Sequence, residues 1–298
     1  MPSSMFEEIR HNKLKSWLIM LGFIFLIIGL GAIFGYALGS LYLGLGLAVI
    51  FSIVYSFIGF YSGDAMILSM SGAKPVTKQE YPHLYHAVEG LAIAAGLKQK
   101  PKCYVIQDSA LNAFATGRDP EHSSITVTSG LLEKMNREEL EGVLAHEMSH
   151  IKNYDIRMMM LAAVLVGVVV LMSDFMLRSF LWGRGRRDRD SSQMIIILIA
   201  LVMAILAPIF AQLIKLAISR KREYLADASG VALTRYPPGL ASALEKISQD
   251  PDPLVDHANR ATAHLFISTP FRRTKSLAAR LFSTHPPIEE RIRRLKRL

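Results

Sequence analysis

The amino-acid sequence predicts a mainly α-helical membrane protein, in which four hydrophobic helices form two hairpins and the polar remainder contains a small β-sheet. Hydrophobic residues occupy 51% of the 298 positions, and no charged residue occurs from Trp17 to Tyr61. About 20 apolar residues in a helix cross the ~30 Å hydrocarbon core of a bilayer. The runs Trp17–Gly39 and Leu41–Tyr61 each reach that length, so we expect them to form the first membrane hairpin.

The first apolar run also resembles a signal peptide, because Arg10, Lys13 and Lys15 precede it. The apolar core of a signal peptide is usually about 7–15 residues long, and this run is longer. A second apolar run follows it at once. We therefore expect the first segment to be retained as a membrane anchor.

The second hairpin is predicted within residues 157–219, from apolar blocks at 158–182 and 194–219. The uninterrupted part of the first block, Met158–Met172, is about 22 Å long as a helix, which is shorter than a full span. The second block is longer but contains a proline, a glutamine and a lysine. We expect two membrane helices; the alternative is a re-entrant or partly water-lined hairpin, because polar groups inside membranes usually face cavities.

The polar segment between the two hairpins contains the predicted sheet. Residues 82–97 have helical periodicity and end near a glycine, whereas 103–107 and 124–130 are rich in β-branched and aromatic residues, as strands are. Asn136, with Glu139 three residues later, resembles a capping box at the start of a helix. Helical spacing continues from there, so the sequence HEMSH is predicted to lie well inside that helix.

The net formal charge of +9 is concentrated beside the apolar blocks, in residues 183–193 and 220–298. Basic segments in such places indicate cytoplasmic loops or contact with anionic lipid headgroups. The sequence contains no nucleic-acid-binding motif, so we expect no nucleic acid partner. The single cysteine, Cys103, has no partner for a disulfide or a CxxC metal site and is predicted to be a buried strand residue.

HEMSH, residues 146–150, is the motif that carries chemistry. His146 and His150 are four residues apart, so on a helix they project from one face and can bind one Zn²⁺ ion through their ring nitrogens. Glu147, beside the first histidine, can then accept the proton of a zinc-bound water, which is the general-base role in metalloproteases. The motif therefore predicts one zinc ion per chain.

A catalytic zinc usually has three protein ligands. The metzincin pattern needs a glycine and a histidine where this chain has Asn153 and Ile156, so that class is excluded. An aspartate ligand within the membrane would be Asp174, but no glycine follows it. The better candidate is Glu223, which opens a helix directly after the last apolar block, with Asp227 one turn later to support a ligating histidine.

The second hairpin explains how these ligands meet. Two antiparallel helices return the chain to the side of the membrane that it left. The helix with His150 and the helix with Glu223 are then extensions of two neighbouring membrane helices. We therefore expect the metal site to lie close to the membrane surface.

The joint set of motifs resembles one known family. HEMSHIKNYD, REYLAD and the C-terminal HPPIEERIRRL occur in this order, and NAFATG at 112–117 accompanies them. The set extends over nearly the whole chain and is similar to that of the HtpX-type membrane zinc metalloproteases, a gluzincin family related to the CAAX prenyl proteases. The resemblance implies a zincin-like metalloprotease domain, mostly helical with a small β-sheet, whose active-site helix pair continues into the membrane.

The resemblance also implies roles for individual residues. His146, His150 and Glu223 would bind zinc, and Glu147 would be the catalytic base. The edge strand that pairs with the substrate backbone would include three further residues: Asn112, Ala113 and Phe114. His285 would be catalytic, facing the cleft and steadying the substrate or the oxyanion. The alternatives are that NAFATG is only a tight loop and that His285 only begins a helix.

These expectations divide the chain into four parts. They are the N-terminal segment with its transmembrane hairpin (1–62), the first half of the protease domain with the HEMSH helix (63–156), the second hydrophobic hairpin (157–219), and the second half of the protease domain with the glutamate ligand and a basic C-terminal helix (220–298).

The resemblance further implies a multi-pass protein of the cell inner (plasma) membrane, with a cytoplasmic protease domain and a role in membrane-protein quality control under stress. Its partners would be the lipid bilayer and polypeptide substrates, membrane proteins among them. The basic ends of the chain agree with this orientation. A fully crossing second hairpin would place four arginines of residues 183–193 outside, against the positive-inside tendency, so either the ends outweigh them or the hairpin does not fully cross.

Two other functions compete with a general endopeptidase. A prenyl-protein (CAAX-type) protease is disfavoured because that related branch carries more spans. A non-catalytic, zinc-stabilised membrane scaffold is disfavoured by Glu147, because a structural zinc site needs no general base.

Overall fold

The computed structural model describes residues 5–37, 39–165, 167–168, 220–250, 265–267 and 286–298 of the chain. Within these residues the protein is mostly helical and contains one small mixed β-sheet. Most of the predicted second hairpin lies outside the described residues, and so does His285.

Two long helices form the first hairpin: α1, Met5–Ala37, and α2, Leu41–Met70. In the described part of the chain these are the two helices long and apolar enough to cross a membrane, α1 over Ile9–Ile33 and α2 over its full length. Only 28% and 17% of their most apolar stretches are buried against protein, whereas the core helix of a soluble protein would be mostly buried. The structure therefore agrees with the first predicted membrane hairpin.

The remaining elements continue from the hairpin and, except for the apolar helix that follows HEMSH, form the polar part of the molecule. The helices are α3 (Pro82–Ala95), α4 (Ser129–Lys134), α5 (Arg137–Lys152), α6 (155–165), α7 (Arg220–Thr234), α8 (Pro237–Gln249) and α9 (Ile288–Leu295). The strands are β1 (Lys74–Pro75), β2 (Lys102–Ile106), β3 (Ala113–Asp119) and β4 (His122–Thr128).

The strand order is β1-β2-β4-β3, with β2 and β4 parallel and the other two pairs antiparallel. β3 therefore lies at an edge of the described sheet. The strands predicted at 103–107 and 124–130 are confirmed as β2 and β4, and Cys103 is buried in β2 as predicted. The pairing of β3 with β4 was not predicted from the residue pattern, because β3 contains glycine and alanine rather than a run of β-branched residues.

Glycines allow the membrane helices to pack closely. A Cβ atom on Gly44 of α2 would collide with backbone atoms of Gly31 in α1, so the two helices can cross only because both residues lack side chains. Such contacts are common between membrane helices, whose association depends on close packing. Gly63 of α2 in turn contacts Met160 of α6, where an added Cβ would lie 3.2 Å from the methionine side chain. The first hairpin is thus packed against the helix that follows HEMSH.

α5 is the central helix of the polar part. It begins with the predicted capping box, in which the Asn136 side chain accepts from the backbone N–H of Glu139 and the Glu139 carboxylate accepts from the backbone N–H of Asn136, both at 2.9 Å. The main hydrophobic core surrounds the helix with buried residues of α3, the sheet and α8. This packing fixes the position of the HEMSH end of α5 inside the domain.

Gly142 lies where α5 crosses α8. A substitution can test whether this crossing requires a residue without a side chain. A Cβ atom there would be 2.6 Å from the backbone nitrogen of Leu240 and 2.9 Å from its Cα, and backbone atoms cannot move aside easily. We expect Gly142→Ala to lower the free energy of unfolding by about 1–3 kcal/mol, as overpacking does.

The matched control is Gly90→Ala in α3, where an added Cβ meets nothing within 4 Å. This substitution should be neutral or stabilise the helix by up to about 1 kcal/mol. Unfolding of both variants, measured in one detergent, checks the prediction, and equal midpoints would contradict the close crossing of α5 and α8.

Candidate metal centre

The HEMSH motif lies in the last turns of α5. His146 and His150 project from the same face of the helix, as their spacing predicts, and their ring centroids are 4.8 Å apart. Both side chains and that of Glu147 are at most 4% exposed. Burying three titratable groups is costly unless neighbouring groups compensate them, so the surroundings of this turn must supply partners.

Glu223, in the first turn of α7, is brought to the two histidines. α7 lies so close to α5 that a Cβ on Gly230 would be 3.0 Å from the backbone nitrogen of His146. The two Nε2 atoms are 3.2 Å apart, and the Glu223 carboxylate oxygens lie 3.8 Å from Nε2 of His146 and 3.6 Å from Nε2 of His150. Ligands about 2.0–2.1 Å from a tetrahedral ion are about 3.3 Å apart, so this spacing fits one metal ion.

A carboxylate lies behind each imidazole. Oδ1 of Asp227 is 3.0 Å from Nδ1 of His146, and Oδ2 of Asp155 is 2.9 Å from Nδ1 of His150. When each Nδ1–H donates to its carboxylate, both Nε2 atoms carry lone pairs that point at the same place. Two lone pairs at 3.2 Å repel each other unless a proton or a metal ion lies between them, and with Glu223 beside both nitrogens the donor set fits a metal ion.

The charge of the surroundings leads to the same conclusion. Eight buried residues form the polar cluster, two histidines, four acids and two arginines: His146, His150, Glu147, Glu223, Asp155, Asp227, Arg222 and Arg291. With neutral imidazoles, four negative and two positive groups leave a formal charge of −2. A divalent cation neutralises this charge, and an uncompensated buried charge of that size would be strongly destabilising.

The two histidines differ in their protonation equilibria. Burial and the charge of Arg291 lower the pKa of His146 to about 4. Burial also disfavours the charged form of His150, but the hydrogen bond to Asp155 and the charge of Glu223 outweigh it and raise the pKa of His150 to about 9. A divalent cation would take the place of this proton, because only a neutral imidazole is a metal ligand.

The surroundings of Glu147 shift the pKa of its carboxyl group. Burial is the largest influence on it and raises its pKa to about 7. Its carboxylate accepts a hydrogen bond from the backbone N–H of Ala115 in β3. A carboxyl group that titrates near neutral pH can take up and release a proton during a reaction, which suits a general base.

The residues predicted to contact the substrate lie at the start of β3. Asn112, Ala113 and Phe114 are all buried. The Asn112 side chain accepts from the backbone N–H of Ala113, and the carbonyl of Ala113 accepts from the backbone N–H of Ile267 at 2.9 Å. The structure therefore brings this segment close to Glu147 through the neighbouring Ala115, and Ile267 lies beside Ala113. His285, the other predicted catalytic residue, is outside the described residues.

Three buried residues of the cluster were not singled out by the sequence: Arg291, Arg222 and Asp155. Arg291 is 1% exposed and makes two hydrogen bonds to Asp227, from Nε at 2.9 Å and from Nη2 at 2.7 Å. A signal for it was present, because Ile288, Arg291 and Leu295 share the buried face of α9, and an arginine at such a position indicates a buried ion pair. Asp155 follows the end of α5 and has no comparable signal.

An HExxH helix joined to a glutamate on a neighbouring helix, beside helices of membrane length, defines the class of membrane metallopeptidases. Comparison with known proteins agrees. The family described as "Peptidase family M48" matches residues 78–298, and the chain belongs to this family.

Full-length relatives and a solved structure extend the comparison. "Protease HtpX homolog" of Dictyoglomus thermophilum is 50% identical over 300 residues, which cover 99% of this chain and 95% of the relative. The protein of the same name from Thermoanaerobacter pseudethanolicus is 46% identical over 299 residues, covering 99% and 98%. The crystal structure of S. mikatae Ste24p covers 97% of this chain and 67% of that chain at 20% identity and a TM-score of 0.51, which shows a common fold. The predicted family is confirmed, and the protein is a membrane metallopeptidase that acts on polypeptides.

The ion pair of Arg291 with Asp227 predicts a large effect on stability. Arg291→Met leaves a buried carboxylate without its cation, so the free energy of unfolding should fall by about 3–5 kcal/mol. The matched control is Arg293→Met, two residues further along α9, where the arginine is exposed and the change should be within about 0.5 kcal/mol. Unfolding measurements on both variants check this, and an equal midpoint for the two would show that the ion pair does not support the site.

Proposed function

We propose that the protein is a zinc-dependent endopeptidase in which His146, His150 and Glu223 bind the ion and Glu147 is the general base. The observation that carries this proposal is the convergence of one donor atom from each of the three ligands within 4.8 Å, at a buried site. Two imidazole nitrogens and one carboxylate oxygen are ligands that would suit zinc.

The chain's own residues have distinct tasks in the proposed reaction. When bound, the zinc ion supplies Lewis acidity, which polarises the scissile carbonyl and lowers the pKa of water. Glu147 accepts the proton of the attacking water and delivers it to the leaving amine, a task that suits a buried carboxylate beside the two histidines. Asp227 and Asp155 hold the two imidazoles in the tautomer that presents Nε2 to the ion.

The substrate is proposed to bind as an extended strand along the outer edge of β3, beside Asn112, Ala113 and Phe114. The edge position of β3 and the interaction of Ala115 with Glu147 support this at the Ala115 end of the segment, since the carbonyl of Ala113 is already bound by Ile267. His285 is proposed to face the same cleft and to steady the substrate or the oxyanion. Its assignment rests on the family alone.

The proposed layout is a multi-pass protein of the inner (plasma) membrane with four hydrophobic helices, divided at residues 62, 156 and 219. Two of those helices are α1 and α2, and the other two belong to 157–219. Contact of α6 with α2 supports a site near the membrane surface, because α6 begins three residues after α5 ends. With the protease domain in the cytoplasm, its substrates would be misfolded or membrane-associated proteins, as in quality control under stress.

The competing functions have less support. No feature of the described site favours a prenylated substrate over other polypeptides, and relatives close to 50% identical carry the name of the HtpX protease instead. A non-catalytic scaffold does not agree with membership in a peptidase family.

The general-base assignment is tested by Glu147→Gln. The amide keeps the size of the side chain but cannot accept the proton, so peptidase activity on an unfolded protein should fall by about 10²–10⁴-fold. Zinc content, measured on the same purified protein, should stay at one ion per chain. Glu138→Gln, an exposed glutamate in the first turn of the same helix, is the matched control and should keep wild-type activity.

Two results would contradict the assignment: Glu147→Gln that remains as active as the wild type, or a wild type that is inert with zinc bound.

The topology of the second hairpin is tested by cysteine labelling, which the single buried native cysteine makes simple. In a Cys103→Ser background, Ser191→Cys should react with an impermeant maleimide added outside intact cells, because a fully crossing hairpin exposes that loop. Ser3→Cys, before α1, should react only after the cells are opened. Labelling of Ser191→Cys only in opened cells would instead support the re-entrant hairpin.

A further inference from the structure

A buried contact joins the anchor helix α1 to the candidate metal centre. Asn12 lies five residues before Trp17, where the apolar run begins, which is about 7.5 Å along the helix. Its side chain is 1% exposed. The amide nitrogen donates to the backbone carbonyl of Asn153 at 2.9 Å and to Oδ1 of Asp155 at 2.7 Å.

Asp155 transmits this contact to a candidate zinc ligand. Its other oxygen, Oδ2, lies 2.9 Å from Nδ1 of His150. The buried carboxylate of Asp155 therefore binds the anchor helix through one oxygen and the imidazole of His150 through the other. Because both oxygens are held, the plane of the carboxylate is fixed, and with it the direction in which the His150 ring presents Nε2.

The same amide also reaches the helix of the third candidate ligand. Nη1 of Arg222 is 3.4 Å from Oδ1 of Asn12 and 3.3 Å from Oδ1 of Asp155, and Arg222 directly precedes Glu223. The partners determine the orientation of the amide, since its nitrogen faces two acceptors and its oxygen faces a donor. An asparagine fits this position because it donates and accepts at once.

The turn between α5 and α6 needs such support. Tyr154 has a φ of 60°, in the left-handed region that costs a non-glycine residue roughly 1–2 kcal/mol. α1 contacts the turn at this residue and on both sides of it, since Asn12 also binds Asp155. Asn12 binds the carbonyl of Asn153 before it, and Nζ of Lys13 lies 4.2 Å from the centroid of the Tyr154 ring.

We propose that Asn12 is a positioning residue of the metal centre, and that the first turns of the membrane anchor hold Asp155 in place behind His150. This inference rests on the proposed function, in which His150 is a zinc ligand. Asn12 touches neither the ion nor the substrate; it acts through Asp155. The anchor helix then supports the metal centre directly. The Asn12 amide connects the membrane-inserted helix to the geometry of the site.

The test measures zinc affinity of the full-length protein in detergent, by competition with a chelating dye. Asn12→Ala should weaken zinc binding by about 10–100-fold, the usual effect of losing a group that orients a ligand. Asn12→Gln keeps the amide but displaces it by one methylene, so it should also weaken binding, and it decides the test if Asn12→Ala does not fold. Ser16→Ala is the matched control, a buried polar residue one turn along α1 whose hydroxyl donates to the Asn12 carbonyl at 2.8 Å.

A double-mutant cycle separates positioning from a general loss of packing. If Asn12 acts through Asp155, then Asn12→Ala should cause no further loss of zinc affinity in an Asp155→Ala background. Wild-type affinity in the folded Asn12 variants, or full additivity in the cycle, would overturn the inference. A wild type that binds no zinc, or whose zinc affinity is unaffected by His150→Ala, would overturn the proposed function instead.

Discussion

The balance of charge in a small volume sealed from water is the constraint on which this structure depends. Within the described residues, four carboxylates and two guanidinium groups are buried around two imidazoles, and with both imidazoles neutral this leaves a formal charge of −2. A divalent cation at the place where both Nε2 atoms point would offset this charge in place of a proton on His150. Much of the surrounding structure follows from this need: α5 supplies the histidines, α7 supplies Glu223, and α9 inserts Arg291 to compensate Asp227.

The membrane helices also contact the elements that carry the metal centre. α2 packs against α6 through glycines, and α1 reaches the turn that presents Asp155 to His150. A water-using centre beside lipid-like helices is therefore not a contradiction. The apolar hairpin packs against the helix that follows HEMSH and so supports the polar cluster.

The sequence predicts those features that depend on local spacing. His146 and His150 follow from the i, i+4 geometry of a helix, and the capping box at Asn136 follows from the same kind of pattern. Glu223 was predicted from its place after an apolar block. Arg291 and Asn12 were not assigned a role, because their partners are 64 and 143 residues away and tertiary packing alone brings them together. The full course of the second hairpin stays a prediction.

X-ray absorption of the zinc-loaded Glu147→Gln protein identifies the atoms that bind the ion. We expect two imidazole nitrogens and additional oxygen donors at about 2.0–2.2 Å from the ion, with one imidazole lost in His146→Ala and in His150→Ala. A sulfur donor at about 2.3 Å, or a first shell unchanged by either histidine substitution, would contradict it.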